Sequence, residues 1–294
     1  EGQSDYRIYR SAQAPASVKQ AAEEIQRAIK IATGAELAIV ETASAPMISL
    51  GKNAAAEAAG IHAANIPEEG FQIVTKNNDL FIVGNDTSDG QYAWGAARGE
   101  GTSRGTLFGA YAFLEKVVGV RWLMPGPWGE DIPAQRNLLA PVMSLAEAPD
   151  FKMRKLHCGQ SSDLPRDRLL MVDDWLRRQR IGGSHAIWNT HAWYPTKDAA
   201  RWNDYLPEDL FEKHPEYRAV DGDKGKFCTS NPAMVRTFAE GVTRWIDRHP
   251  QDRYFAMSPS DGGGFCRCAK CAALDEQDPH GDLSCSPLVL KFYN

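Results

Sequence analysis

The sequence predicts an α/β protein in which an α+β N-terminal accessory domain precedes a partial, truncated TIM (β/α)8 barrel. Two amphipathic helices and several short strands occupy residues 1–124. A proline-rich stretch covers residues 125–150, which is typical of a linker between domains. From 151 to 294, short apolar runs alternate with helical patterns, and this alternation favours a parallel sheet or a barrel. We therefore predict an accessory domain at 1–124, a linker at 125–150 and the first half of a barrel at 151–294.

The composition is that of an ordinary globular protein. Of the 294 residues, 43% are hydrophobic and 24% are charged, and the net charge is −5. No long basic run is present, which argues against nucleic acid as a partner. No apolar run approaches the roughly 20 residues of a membrane span. Because the sequence starts at Glu1 without a signal peptide, we expect a processed, exported chain that is periplasmic, cell-surface or secreted.

The N-terminal domain is expected to be a mixed sheet covered by two helices. Apolar residues recur at helical spacing from Val18 to Ala32, with Ser17 as the N-cap and Gly34 as the stop. A second helix is predicted from 102 to 118. The domain carries no catalytic constellation, so we assign it a packing and positioning role. The remaining predicted elements are strands at 5–10, 36–40, 47–50 and 120–123, a hairpin of 71–75 with 80–83, and a weak helix at 54–59.

Three motifs in this domain carry a family resemblance. They are Thr33-Gly34-Ala35-Glu36-Leu37, the run from Gly105 to Tyr111 continued by Phe113-Leu114-Glu115, and Gly119-Val120-Arg121-Trp122. Together they resemble the non-catalytic N-terminal domain of family 67 α-glucuronidases and the related domain of family 20 hexosaminidases. In those families the domain precedes a catalytic TIM barrel, so the resemblance implies a barrel after the linker.

The C-terminal region is predicted to contain only about four strand–helix units, whereas a closed barrel has eight and typically about 250 residues. The chain also ends at Asn294, inside a predicted helix. We therefore expect a truncated chain, with the pairing of two half-barrels as the alternative. The predicted strands are 151–158, 185–188, 226–229 and 254–257, and the predicted helices are 166–180, 233–248 and one from Pro287 onward.

Asp261 is the candidate catalytic residue. It follows the predicted strand 254–257 and precedes three glycines, so it lies at the strand end where catalytic residues of barrels collect. As the general acid of glycoside hydrolysis it would need a raised pKa from an enclosed site. The alternative is that Asp261 caps the loop or binds a sugar hydroxyl. The sequence offers no convincing second carboxylate, and Gly262 stands where hexosaminidases have the second acid of an Asp-Glu pair.

Five further residues are candidate carbohydrate contacts. Arg154, on the first barrel strand, could bind a hydroxyl or a uronic carboxylate, with a structural ion pair as the alternative. His191 and Trp193 follow the second strand and offer a hydrogen-bonding ring and a stacking face. Asn189 and Asn231 occupy equivalent strand-end positions. A purely structural role remains the alternative for each of them.

Three cysteines, Cys266, Cys268 and Cys271, follow the glycines at the spacing C-x-C-x-x-C. Cysteines at this spacing can hold a structural Zn²⁺, and disulfides are the rival interpretation in an exported chain with an even number of cysteines. No organic cofactor is predicted. The fourth zinc ligand would be one of three residues elsewhere in the chain: Cys228, Cys285 or His280.

A second resemblance covers nearly the whole chain. The motifs His214-Pro215-Glu216-Tyr217, Cys228 to Pro232, Ser258 to Gly262 and the cysteine run resemble the domain-of-unknown-function family 4838. That family couples a glucuronidase-type N-terminal domain to a barrel. The resemblances imply a carbohydrate ligand and a glycoside hydrolase acting on O-glycosidic bonds of a polysaccharide or glycan. The alternative is a non-catalytic glycan-binding protein on a degenerate barrel, and a zinc-dependent hydrolase is disfavoured because the cluster is rich in thiols.

Overall fold

A computed structural model gives two compact units, Glu1–Ala186 and Ile187–Asn294. This division does not test the domain boundaries predicted at residues 124 and 150, so these boundaries stay predictions. Among the described residues, no helix has the length and apolar character needed to cross a membrane. The structure describes residues 2–87, 103–154, 156, 165–183, 191–196, 204–223, 225–250 and 255–294.

The first unit is built on a six-stranded mixed sheet. In spatial order its strands are β2 (Ile39–Val40), β1 (Arg7–Arg10), β3 (Met47–Leu50), β5 (Asp79–Gly84), β4 (Phe71–Lys76) and β8 (Ser144–Glu147). The first four strands in this order pair in parallel, whereas β4 pairs antiparallel with both β5 and β8. The predicted hairpin is confirmed, since Lys76 faces Asp79 across a turn that contains Asn77 at φ 53°.

Helices cover the sheet because alternate strand residues are apolar on both faces. Ile8 and Ile48 belong to the core that includes residues of helices α1 (Ala16–Thr33) and α3 (Gly105–Phe113). Tyr9 belongs to a second core that includes residues of α2 (Ala54–Ala58). The α/β class predicted from the pattern of elements is therefore confirmed.

The helix ends show where the sequence pattern fails. Gly34 ends α1 in the left-handed region at φ 80°, as predicted. Ser17 lies inside the helix instead of capping it, because the helix begins at Ala16 after Pro15. The Ser17 hydroxyl is buried and has no hydrogen-bond partner among the described residues. The predicted second helix continues past α3 as a π-helical turn, Leu114–Val118, and ends at Gly119.

A partly buried ionic network joins helix α4 (Arg166–Arg178) to helix α1 within the first unit. Arg27 of α1 donates two hydrogen bonds to Glu130, at 2.6 and 2.7 Å, and Arg178 of α4 lies 3.1 Å from Glu24. Burial opposes ionisation of Glu130, but the hydrogen bonds from Arg27 and Trp122 outweigh it and lower the pKa of that carboxyl. Glu130 belongs to β7 (Glu130–Asp131), which pairs antiparallel with β6 (Arg121–Trp122).

One strand pairing differs from the prediction. Strands that flank a helix in a barrel run parallel, but β9 (Met153–Arg154) and β10 (Gly182–Gly183), which flank α4, pair antiparallel. The chain turns back directly after α4, where Arg180 has φ 56° and Gly182 has φ 141°.

The second unit has an aromatic core between helices and loops. Helix α6 (Pro232–Arg248) confirms the predicted helix 233–248, and α8 (Ser286–Tyr293) confirms the final one. Within the predicted strand 226–229, Phe227 forms an isolated antiparallel bridge with Arg218. The described residues 255–257 of the predicted strand 254–257 form no ladder, but the next residue, Ser258, bridges to His191 in parallel. The other described elements are α5 Leu210–Lys213, α7 Ala269–Ala272 and a two-stranded ribbon of β11 Glu276–Gln277 and β12 Leu283–Ser284.

Candidate functional site

The predicted catalytic residue and one predicted contact residue lie together in the second unit. His191 bridges to Ser258 in parallel, and the N–H of Ala192 donates to the Ser258 carbonyl at 2.9 Å. This pairing brings His191 beside the loop that carries Asp261. The His191 Nε2 atom lies 3.1 Å from the Asp261 Oδ1 atom. The Asp261 side chain is 93% exposed, so the described residues do not enclose it.

Lys226 anchors the loop that carries Asp261, and it is not among the site residues predicted from the sequence. Its side chain is 1% exposed, and its Nζ atom donates to the Ser260 carbonyl at 2.9 Å and to the Gly262 carbonyl at 2.8 Å. The ammonium group also lies 4.2 Å from the centroid of the Phe265 ring. Burial lowers the pKa of Lys226, and the nearby carboxylates of Asp223 and Asp261 oppose that effect. Asp261 is thus flanked by two anchored carbonyls.

Replacing Lys226 with methionine is expected to loosen the loop 258–264. Methionine fills a similar volume but leaves both carbonyls without their donor. A hydrogen bond from a charged group contributes about 1.5–3 kcal/mol, so amide hydrogen exchange in this loop should rise at least about tenfold, equivalent to about 1.4 kcal/mol. The control is Lys270→Met, because Lys270 is exposed on α7. Equal exchange in the two variants would remove the anchoring role of Lys226.

Asp223 is a second carboxylate beside this loop. Its N–H donates to the Gly264 carbonyl at 2.9 Å. Its carboxylate covers the α-carbon of Gly264, since a Cβ there would lie 2.3 Å from the Asp223 Cγ atom. Glycine is required at 264 for this close approach and for φ 71°. In the sequence, Asp223 is marked only by its position before a predicted strand. The spacing of residues along the chain does not reveal its contact with Gly264.

Two predicted contact residues, Trp193 and Asn231, have structural roles in the described chain. Trp193 is fully buried, stacks on Phe227 at 4.9 Å between ring centroids, and donates from Nε1 to the Met257 carbonyl at 3.0 Å. Asn231 caps α6, accepting hydrogen bonds at Oδ1 from the N–H groups of Ala233 and Met234. The Trp193 ring and the Asn231 side-chain amide therefore both make contacts within the protein.

Arg154 forms the structural ion pair that the sequence analysis left open. Its Nη2 atom lies 2.7 Å from the buried Glu69 carboxylate, and its other nitrogens donate to the carbonyls of Phe151 and Arg180. Burial raises the pKa of Glu69, and the hydrogen bond from Arg154 opposes that effect. Asn189, the remaining candidate contact, lies outside the described residues.

Four cysteines converge a short distance along the chain from Lys226 and the glycines. The four-cysteine cluster consists of Cys228, Cys266, Cys268 and Cys271, whose sulfur atoms all lie within 4.8 Å of one another. Cys228 Sγ lies 3.8 Å from both Cys268 Sγ and Cys271 Sγ. A Zn–S distance of about 2.3 Å in a tetrahedron places sulfur atoms about 3.8 Å apart. The cluster could therefore hold a metal ion, with Cys228 as the fourth ligand.

The cysteines of the cluster are free thiols in the described structure, as is Cys285, and no disulfide joins them. Burial raises the pKa of Cys228 and of Cys266. Burial acts in the same direction at Cys268, but the backbone N–H of Cys271 and the neighbouring thiols outweigh it and lower the pKa of Cys268 to about 7. The Val220 N–H donates to Cys266 Sγ at 3.3 Å, a bond that also suits a thiolate.

The described part of the chain is thus an α/β protein with a four-cysteine cluster and a contact between His191 and the exposed Asp261. The model of the family described as "Domain of unknown function (DUF4838)" matches residues 124–294, and the chain belongs to this family. A comparison with curated proteins finds no match.

Solved structures with some likeness are glycoside hydrolases by their names. A family GH115 4-O-methyl-α-glucuronidase with specificity for decorated arabinogalactans is 15% identical, with a TM-score of 0.43, over 91% of this chain and 37% of its own. A mutant β-hexosaminidase of Streptomyces plicatus is 13% identical, with a TM-score of 0.38, over 80% of this chain and 40% of its own. The chain spans well under half the length of either enzyme, so its function is argued from its own residues.

Proposed function

We propose that this chain belongs to a carbohydrate-active protein, a glycoside hydrolase in which His191 and Asp261 contact the sugar. Asp261, as the general acid, would give its proton to the leaving oxygen of an O-glycosidic bond. The observation that carries the proposal is the 3.1 Å contact between Asp261 and His191 on a loop anchored by Lys226. The resemblance of the N-terminal motifs to glucuronidase-type domains supports a glycan ligand.

A second candidate function is glycan binding without catalysis. The 93% exposure of the Asp261 side chain favours it, because a general acid that works near neutral pH needs an enclosed, partly apolar site. A carboxylate and an imidazole on an open surface can still bind sugar hydroxyls through hydrogen bonds.

The cluster supports the proposal of a closed, structural Zn²⁺ site. Four cysteine sulfurs complete a tetrahedron and leave no position for a water molecule or a substrate, which separates this site from catalytic zinc. Bound metal would fix Cys228, two residues after Lys226, and Cys266, two residues after Gly264. Zinc in the cluster would therefore stabilise the two segments that hold the Asp261 loop in place, one around Lys226 and one around Gly264.

We further propose that residues 151–294 are part of a TIM (β/α)8 barrel in an exported protein. The parallel bridge between His191 and Ser258 supports this, since neighbouring barrel strands are parallel. In this arrangement the segment 226–229, whose Phe227 bridges antiparallel to Arg218, is not the barrel strand between them. Export fits a polysaccharide ligand, which lies outside the cell. Recovery of the intact protein from the cytoplasm alone would contradict export.

Replacing Asp261 with asparagine is expected to lower glycoside turnover by about 10²–10⁴-fold, the typical contribution of general acid–base catalysis. The measurement is turnover of the intact protein on a panel of aryl glycosides and polysaccharides that includes uronic acids. Asp221→Asn is the matched control, because Asp221 is exposed, lies outside the loop and has φ 52°, which asparagine tolerates. Unchanged turnover in Asp261→Asn would exclude the acid role. Binding without turnover on any glycoside would select the second candidate.

A further inference from the structure

The glycine turn after Asp261 brings two carboxylates to one place. A Cβ on Gly262 would lie 3.9 Å from the Asp223 Oδ2 atom. Gly262 directly follows Asp261, and consecutive α-carbons are about 3.8 Å apart, so the Asp223 carboxylate lies within about 9 Å of the Asp261 α-carbon. Glycosidases place their two carboxyl groups about 5–9.5 Å apart. Since the Asp261 carboxyl group lies about two bonds beyond its α-carbon, the two carboxyl groups are at most about 12 Å apart, and this upper limit includes the separation found in glycosidases.

Lys226 donates hydrogen bonds to the backbone beside both carboxylates. The Lys226 N–H donates to the Asp223 carbonyl at 2.9 Å and closes a turn that begins at Asp223. The Lys226 ammonium group holds the two carbonyls on either side of Asp261. The Asp223 N–H is in turn bonded to Gly264. Both carboxylates are exposed, so a substrate and a water molecule can reach them.

We propose that Asp223 is the second carboxylate of the site and acts as its general base. The inference rests on the proposed hydrolase function. Asp261 gives its proton to the leaving oxygen as the bond from that oxygen to the anomeric carbon breaks. Asp223 takes a proton from the water whose oxygen forms the new bond to the anomeric carbon. The products are an alcohol and a hemiacetal, and the proton returns from Asp223 to Asp261 through solvent.

Asp223→Asn in the intact protein tests this role. We expect turnover on the best substrate of the panel to fall by about 10²–10⁴-fold, while zinc content, melting temperature and glycan affinity stay unchanged. Sodium azide should restore turnover and give a glycosyl azide, because azide attacks the anomeric carbon without a base while Asp261 still protonates the leaving oxygen. Asp221→Asn, the matched control, should keep turnover within about twofold and gain nothing from azide.

The outcomes separate the two proposals. If Asp261→Asn loses turnover and Asp223→Asn matches Asp221→Asn, the hydrolase proposal stands and the role of Asp223 is overturned. If the wild-type protein turns over no glycoside, both proposals are overturned.

A second pair of variants tests the position of Asp223 without removing its carboxylate. A Cβ at Gly264 would collide with the Asp223 carboxyl group, at 2.3–2.6 Å from its atoms, whereas a Cβ at Gly263 meets no atom within 4 Å. Gly264→Ala should therefore displace Asp223 and lower turnover at least about tenfold relative to Gly263→Ala. Zinc content is measured in both variants. Equal turnover with zinc retained in both would contradict the proposal.

Discussion

The intact protein carrying Cys271→Ser is expected to lose its bound metal ion and much of its stability around the four-cysteine cluster. Cys271 is fully buried, and its sulfur lies 3.8 Å from that of Cys228. Serine is a poor zinc ligand, and the three remaining cysteines would be left as buried thiols without the ion that holds them together. Structural zinc contributes about 10–16 kcal/mol of apparent binding free energy in small zinc domains, so even a partial loss is large. A loss of about 3 kcal/mol would lower the melting temperature by roughly 10–20 °C in a unit of this size.

The measurements are the metal content per chain and the melting temperature with and without a chelator. The wild type should hold about one zinc ion per chain, and Cys271→Ser should hold almost none. Cys285→Ser is the matched control, since Cys285 is free and lies outside the four-cysteine cluster. A wild-type protein without metal and with oxidised thiols would establish the disulfide interpretation. Full zinc occupancy in Cys271→Ser would remove Cys271 from the ligand set.

The cluster shows how far local spacing can predict a site. Cys266, Cys268 and Cys271 lie within six consecutive residues, and their C-x-C-x-x-C spacing is recognisable from the sequence alone. The fourth sulfur, Cys228, lies 40 residues before Cys268 along the chain. The sequence therefore left three candidates, because which distant segment packs against a loop depends on the tertiary fold.

The same limit explains the residues that the sequence analysis missed. Helices α1 and α6 follow from apolar periodicity, which is a local property. Lys226 and Asp223 act through contacts with a loop more than 30 residues away. Their positions in a short strand and before it give no sign of those contacts. His191 and Asp261 could be predicted together only because both were assigned to strand ends on one face.

Trp193 shows the opposite case, in which a strong local signal has a structural explanation. Tryptophan after a strand suggested a stacking face for a sugar, yet the ring is 0% exposed. It lies 4.6 Å from Phe292 and 4.9 Å from Phe227, between ring centroids, within an aromatic core. Aromatic side chains dominate cores as well as sugar sites, so residue type alone does not separate the two roles.

Trp193→Ala is therefore expected to destabilise the protein by about 3–5 kcal/mol, the usual cost of removing a buried tryptophan. The lost volume cannot be refilled easily, because the surrounding rings already pack on one another. The measurement is the free energy of unfolding in denaturant, with Tyr194→Ala as the control. Tyr194 is adjacent in sequence but 45% exposed, and its removal should cost at most about 1 kcal/mol. If Trp193→Ala keeps wild-type stability and loses glycan affinity, the ring binds sugar as the sequence predicted, and the aromatic core must open when the ligand binds.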